Sequence, residues 1–195
     1  MSNSQYRVGY QGAPYSNSHR AALTGFDYIL GDEPELIPMI KSQVIAENLR
    51  NGSIDFGVVA MENSIGSIVE ETREILDTGD FEIVSESGLP IHHCLFIHPD
   101  MEIENIDTIA SHEQALIQTG ETRGQLYPWC DELEIEDTAI GATWLIDGTL
   151  PITTGVLCPK EAGKANWLKM VAENLEDACS VTTFGLIRLA SSSNV

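Results

Sequence analysis

The hydrophobic positions alternate between short apolar runs and helical spacing, so the chain reads as strand, helix, strand, helix. A strand is expected over Arg7–Gln11. Pro34–Arg50 reads as a helix, with Pro34 in its first turn, Leu36, Ile37, Ile40, Val44 and Ile45 at helical spacing, and Asn51-Gly52 as its stop. Ile54–Met61 is an apolar strand running into Glu62, Asn63 and Ser64, after which Ile65, Ile68, Val69, Ile75 and Leu76 trace one helix face, buried in the core by default. Phe81–Ser85 and Ile91–Ile97 are strand-like. A second series follows: a strand at Thr108–Ala110, a helix opened by Ser111, an extended stretch at Leu133–Asp137, a helix opened by Thr138, a strand at Thr153–Cys158, a helical turn at Glu161–Asn166 and a final strand at Val181–Leu189. Repeated units of this kind predict an α/β fold with mainly parallel sheets covered on both faces. The only low-complexity stretch is the tail at Ser191–Ser193.

At 195 residues the chain fits one domain, or two small lobes sharing a core. No apolar run approaches the ~20 residues of a membrane span, and residues 1–6 lack the pattern of a signal peptide; a cytoplasmic protein is expected. Ten basic residues against thirty acidic ones give a net charge of -20. That balance argues against nucleic acid or an anionic membrane as partner, since both need a basic surface. Cys94, Cys130, Cys158 and Cys179 form no Cys-x-x-Cys pair and read as reduced, buried thiols. His92 and His93 are adjacent and lack metal-ligand spacing, so no metal is expected.

Ser64, Ser111 and Thr138 each follow a strand and precede a predicted helix. Each side-chain oxygen can cap its helix. Together such helix starts can hold an anion through free backbone N–H groups and the dipole. The reading is a small anionic ligand, a carboxylate.

The residues resemble the catalytic domain of prephenate dehydratases, in order and from Tyr6 to Leu189. The resemblance is carried by Tyr10-Gln11-Gly12 with Tyr15-Ser16, by Glu62-Asn63-Ser64 followed by Gly66, by Ile91-His92-His93-Cys94-Leu95, by Ser111-His112-Glu113-Gln114-Ala115-Leu116, by Thr138-Ala139 and by Thr182-Thr183-Phe184. It implies a two-lobed fold similar to type II periplasmic binding proteins, with residues 1–91 plus 172–195 in one lobe, 92–171 in the other and the ligand between them. It also implies prephenate as substrate, no cofactor, and pairing into a homodimer as catalytic domains of this family often do. By the resemblance Thr182 is the proton donor. Glu62, Asn63 and Ser64 orient the substrate; Ser111, His112, Gln114 and Thr138 grip carboxylates; Tyr15, Ser16, Ala139, Thr183 and Phe184 complete the binding set.

The sequence departs from the family pattern at four places. Thr183 replaces an arginine, and losing a guanidinium partner for a buried carboxylate costs ~2–5 kcal/mol. Ser180 stands where asparagine is usual. The first loop is about two residues short. No ACT domain follows, so feedback by phenylalanine through one is not expected. His19 or Arg20, just after the short loop, is a candidate for the missing positive charge. These departures tip the reading toward a non-aromatising prephenate decarboxylase of secondary metabolism, giving a dihydro-hydroxyphenylpyruvate. A prephenate dehydratase of phenylalanine biosynthesis is the alternative, argued by the retained Thr182 and Glu62-Asn63-Ser64. A non-catalytic protein that binds a small carboxylate is the third reading.

Overall fold

A computed structural model describes residues 5–31, 33–65 and 67–191. Gly66 and residues 192–195, and with them part of the distinctive motif and of the serine tail, lie outside the described residues, as do 1–4 and 32. The chain forms two compact units. Among the described residues the first takes in 5–13, 17–90 and 181–191; the second is Pro14–Ser16 with Ile91–Ser180.

The first unit is built on β1 (Arg7–Gln11), α1 (Asn17–Thr24), α2 (Asp27–Leu30), β2 (Glu35–Met39), α3 (Ser42–Arg50), β3 (Phe56–Asn63), β4 (Ser67–Ile68), α4 (Glu70–Leu76), β5 (Phe81–Ile91) and the last of the described strands, β11 (Ser180–Leu189). Its sheet runs β2-β1-β3-β11-β5, with β4 paired to β3. β1 is parallel to β2 and β3, and β11 enters antiparallel to β3. Strands buried on both faces need apolar residues in succession rather than alternation. Val58 and Val59 of β3 and Leu186 and Ile187 of β11 meet that need and are fully buried. Each such side chain contributes roughly 1.5–3 kcal/mol. Helix α3 lays Ile45, Ala46 and Leu49 on this sheet. It comes so close that a Cβ at Gly57 would collide with Ile45.

Two expected elements differ. Residues 34–39 are not helical; they pair in register with β1, from Arg7 opposite Glu35 to Gln11 opposite Met39. A run this short satisfies either period, and the neighbouring strand decides it. Pro38 is tolerated because β2 is a sheet edge, where its missing N–H breaks no ladder. The helix expected from Ile65 begins only at Glu70. Asn63 Oδ1 accepts from the Ile65 N–H at 3.0 Å, a local turn that sends the chain back as β4 along β3. Ile75 is buried as expected, but Ile65 and Ile68 are exposed.

The second unit contains β6 (Cys94–Ile97), β7 (Thr108–Ser111), α5 (Glu113–Gln118), α6 (Gly120–Leu126), β8 (Asp131–Glu134), α7 (Ile140–Ile146), β9 (Thr154–Cys158), α8 (Lys160–Ala165) and β10 (Lys169–Ala172). Its sheet runs β10-β6-β9-β7-β8, with β7 parallel to β8 and β9 and with β6 antiparallel to β9 and β10. Leu95, Ile97, Ile109 and Leu157 form its core with Ile106, Leu116 and Leu175. The edge strand β8 is fully exposed and carries Asp131, Glu132 and Glu134, charges that discourage pairing with another sheet. Residues 173–180 lie with this unit rather than with the first. Leu175 is in its core, Glu176 accepts from the His93 N–H at 3.0 Å, and Asp177 accepts from the N–H groups of Glu121 and Thr122.

All four cysteines are free thiols. Cys94 and Cys158 face each other in the β6–β9 register, and burial pushes both thiols up. Cys179 departs from the expectation and is exposed. No helix among the described residues is long and apolar enough to cross a membrane.

Candidate active site

In the first unit, the end of β3 meets the start of β11, and four of the expected residues come together there. Asn63 lies opposite Thr182 and Glu62 opposite Thr183. The register slips between Thr183 and Phe184, which pairs with Ala60, so Met61 is an extra residue on β3. Such a bulge bends a strand and re-aims its side chains. The Asn63 amide is fixed at both ends. Its Oδ1 takes the Ile65 N–H, and its Nδ2 donates to Thr182 Oγ1 at 2.9 Å. Thr182 therefore accepts on its oxygen and keeps its own hydrogen to give. It is 9% exposed, buried enough for that hydrogen bond to act without competition from bulk water.

Ser64 opens no helix. Its backbone N–H donates to Val181 O at 2.9 Å, and its Oγ accepts from the Val181 N–H at 2.9 Å. It clamps the turn after β3 to β11, which holds the Asn63–Thr182 pair in place from one side. Glu62 is exposed and Thr183 half-buried, while Phe184 is a core residue at 1% exposure. Gln11, at the end of β1, accepts from the Ala60 N–H at 3.4 Å and donates to Glu71 at 3.2 Å. Glu71 in turn accepts from the Ser42 N–H at 2.9 Å and so caps α3 from outside. The chain to Thr182 thus rests on a sheet whose neighbouring ends are all tied.

The first loop turns through Gly12 and Tyr15, both with positive φ (93° and 69°). Tyr15 is exposed and Ser16 buried, and both cluster with the second unit. On α1, His19 stacks on Tyr10 with ring centroids 4.9 Å apart, and burial lowers its affinity for a proton. Arg20 donates from Nη2 to the carbonyl of Pro90.

In the second unit the helix starts are made differently from expectation. Ser111 is the last residue of β7, fully buried, and its hydroxyl donates to Leu157 O at 2.8 Å. The cap of α5 is His112, whose Nδ1 accepts from the Gln114 N–H at 3.2 Å. Thr138 caps nothing; Asp137 Oδ1 takes the N–H groups of Ala139 and Ile140 at the start of α7. Aspartate outranks threonine as a cap, and that preference was the signal in the sequence. Gln114 is exposed, Thr138 half-buried and Ala139 buried. The three hydroxyls therefore do not form a set of capped helix starts. His92 and His93 meet Glu176: His92 through Nδ1 at 2.7 Å and His93 through its backbone N–H. His93 also bonds Gln118 at 3.0 Å, and burial lowers its affinity for a proton, an effect the Gln118 bond only partly offsets.

A depression of about 500 Å³ in this unit is lined by Glu113, Leu116, Ile117, Gly120, Glu132 and Glu134. Its three carboxylates repel a dianion, and none of the expected site residues lines it. Among the described residues no group of three His, Cys, Asp or Glu side chains is arranged to hold a metal ion.

Comparison with known proteins places these features in a family context. The family model for prephenate dehydratase matches residues 8–192. Arogenate dehydratase 5 of Arabidopsis thaliana, a chloroplastic enzyme, is 30% identical over 182 residues, 93% of this chain and 41% of that protein. The crystal structure of prephenate dehydratase from Arthrobacter aurescens in complex with L-Phe superposes with a TM-score of 0.84 at 23% identity, covering 95% of this chain and 61% of that one. A solved periplasmic transporter aligns with a TM-score of 0.54 at 11% identity, covering 98% of this chain and 79% of that one, a likeness of fold alone. The chain thus spans less than half the length of the curated relative it matches.

Proposed function

The chain belongs to the prephenate dehydratase family, and from that premise we propose that it is a lyase that removes CO2 and water from a cyclohexadienyl dicarboxylate, prephenate or its amino-acid counterpart arogenate. The observation that carries this reading is the hydrogen bond from Asn63 Nδ2 to Thr182 Oγ1. Loss of the ring hydroxyl as hydroxide is prohibitive, so a proton must reach it as the C–O bond breaks. The electron pair of the ring–carboxylate bond moves into the ring as CO2 departs, and the ring becomes aromatic when the hydroxyl leaves as water. Thr182 is a poor acid in water, but an oriented and polarised hydroxyl relays a proton from solvent in a shielded site. Asn63 supplies the orientation, since its donation occupies the Thr182 oxygen and turns the hydrogen outward. Ser64 keeps β11 against the turn.

A second reading, decarboxylation with retention of the ring hydroxyl, is favoured by one observation. Thr183 stands opposite Glu62, where the resemblance calls for an arginine. Without that cation the ring could be held so that a ring carbon, rather than the hydroxyl, is protonated. Incubation of the purified protein with prephenate, and separately with arogenate, followed by NMR of the products decides between them. Phenylpyruvate from prephenate, or phenylalanine from arogenate, is the expected outcome. A non-aromatic product that keeps its hydroxyl replaces the first reading with the second, and binding of either substrate without turnover leaves only a binding role.

A further inference from the structure

Helix α8 ends in a Schellman turn. The Trp167 N–H donates to Lys164 O and the Leu168 N–H to Gly163 O, both at 3.1 Å. These two bonds put Trp167 just after the helix cap, where the backbone turns left-handed, with φ 57°. Glycine is the residue that fits such a position, because a Cβ is crowded in that conformation. This chain places a tryptophan there. Its indole is 85% exposed, more than any other large apolar side chain among the described residues. The turn would close better without the indole, and the core does not use it. Backbone strain of this kind clusters at sites that bind, and tryptophan is enriched among the anchors of protein–protein contacts.

The charge around Trp167 differs from that of the rest of the molecule. Three of the chain's four lysines, Lys160, Lys164 and Lys169, lie within ten residues there. Lys160 pairs with Glu173 and Lys169 with Glu102. Lys164, in the last turn beside Trp167, forms no ion pair among the described residues and acts on Glu173 only at longer range. The opposite edge of the same sheet offers the complement. In the order β10-β6-β9-β7-β8 the two edges are four strand spacings apart, about 19 Å. Beside β8 lies the depression of about 500 Å³, whose lining joins Leu116 and Ile117 to the carboxylates of Glu113, Glu132 and Glu134. Arg123 answers Glu132; Glu113 and Glu134 form no ion pair among the described residues. The volume is that of a cavity that holds a small ligand or a large side chain.

We propose that this depression receives Trp167 and Lys164 from a second copy of the chain. The indole covers Leu116 and Ile117, its N–H meets carboxylate acceptors, and Lys164 answers the two unpaired glutamates. Side chains rather than strands make the contact, so the charges on β8 that oppose sheet pairing do not oppose it. Each copy gives at the β10 edge and receives at the β8 edge. A contact of that kind is head-to-tail, and it closes as a ring or runs on as a chain. It is independent of the reading of the protein as a lyase.

The test is sedimentation velocity on the full chain from about 1 μM to about 1 mM, the span of weak contacts, in about 0.15 M salt, which screens the net repulsion beyond about 8 Å. The samples are the wild type, Trp167→Gly and Glu134→Lys. The average mass of the wild type is expected to rise with concentration and that of each variant to stay level, since loss of a tryptophan anchor weakens a contact at least about thirtyfold. An equal mixture of the two variants is the decisive sample. One keeps the groove and the other keeps the tryptophan, so the mixture is expected to associate where neither does alone. A mixture that stays level while the wild type associates overturns the pairing of these two surfaces. Trp167→Gly is expected to unfold at the temperature of the wild type or above it, because glycine suits the turn. A markedly lower midpoint would make the indole part of the fold and overturn the inference. So would a wild type of constant mass, or a mass that grows equally in Trp167→Gly. Constant mass with a peptide carrying lysine and tryptophan bound to the wild type, and not to Glu134→Lys, would give the groove to another partner and overturn the self-contact.

Discussion

Valine is nearly isosteric with threonine, so Thr182→Val tests the proposed proton donor without changing the shape of the side chain. Thr182→Val is expected to lower kcat at least about 100-fold, the usual range for removing a positioned proton donor, and to cost only about 1 kcal/mol of stability from the lost Asn63 bond. Thr182→Ser keeps the hydroxyl and is expected to retain most activity. Turnover of whichever substrate the wild type consumes, with circular dichroism as a check on folding, decides this; an active Thr182→Val removes the residue from the mechanism. This pair of residues was legible in the sequence, because Asn63 and Thr182 each sit in a recognisable motif. Their contact, across 119 positions, was not. The caps show the opposite case. Ser111 and Thr138 have the right chemistry, but His112 and Asp137 do the work one residue away, and a one-residue offset in a loop leaves no trace in periodicity.

At the scale of elements, short apolar runs were the hard part. The segment 35–39 satisfies helical spacing and strand continuity alike, and pairing with β1 settles it as a strand. The longer strands β3 and β11 were legible, because fully buried strands read as unbroken apolar stretches. Close packing of helices on these sheets gives a sharp prediction at Gly163 of α8. A Cβ there would run into the ring of Phe96 on β6, and a rigid aromatic ring in a full core has nowhere to move. Alanine normally gains about 1 kcal/mol over glycine in a helix, but overpacking costs about 1–3 kcal/mol. Gly163→Ala is therefore expected to lower the thermal midpoint by a few degrees. Phe96→Leu in the same chain should make the alanine nearly neutral, a coupling measured by a double-mutant cycle. An unchanged midpoint in the single variant would mean that α8 stands off the sheet.

The whole molecule carries a net charge of -20, and that charge opposes its own compaction. Its ion pairs are mostly exposed, like Arg50–Asp80 and Arg188–Glu82, and exposed pairs contribute little. Salt weakens both effects, but self-repulsion summed over the surface outweighs a few exposed pairs. The thermal midpoint is expected to rise as sodium chloride goes from about 0.01 M to about 1 M, where the screening length falls from roughly 30 Å to roughly 3 Å. A falling midpoint would show the ion pairs to matter more than the excess charge. The charge was plain from composition, and so was the α/β class. The division of the chain was less so, because residues 173–180 carry no compositional break and join the second unit through Leu175, Glu176 and Asp177.

The strand order of the first unit also sets a sequence of events in time. β11 lies between β3 and β5, yet it is synthesised after both, and after all of Ile91–Ser180. On a ribosome the second unit has its complete continuous segment while the first still waits with β3 and β5 unjoined. Those strands present bare edges for as long as it takes to make some ninety residues, several seconds at about 5–20 residues per second. β11 brings Thr182 with it, so closing the sheet between β3 and β5 and forming the Asn63–Thr182 hydrogen bond are one event.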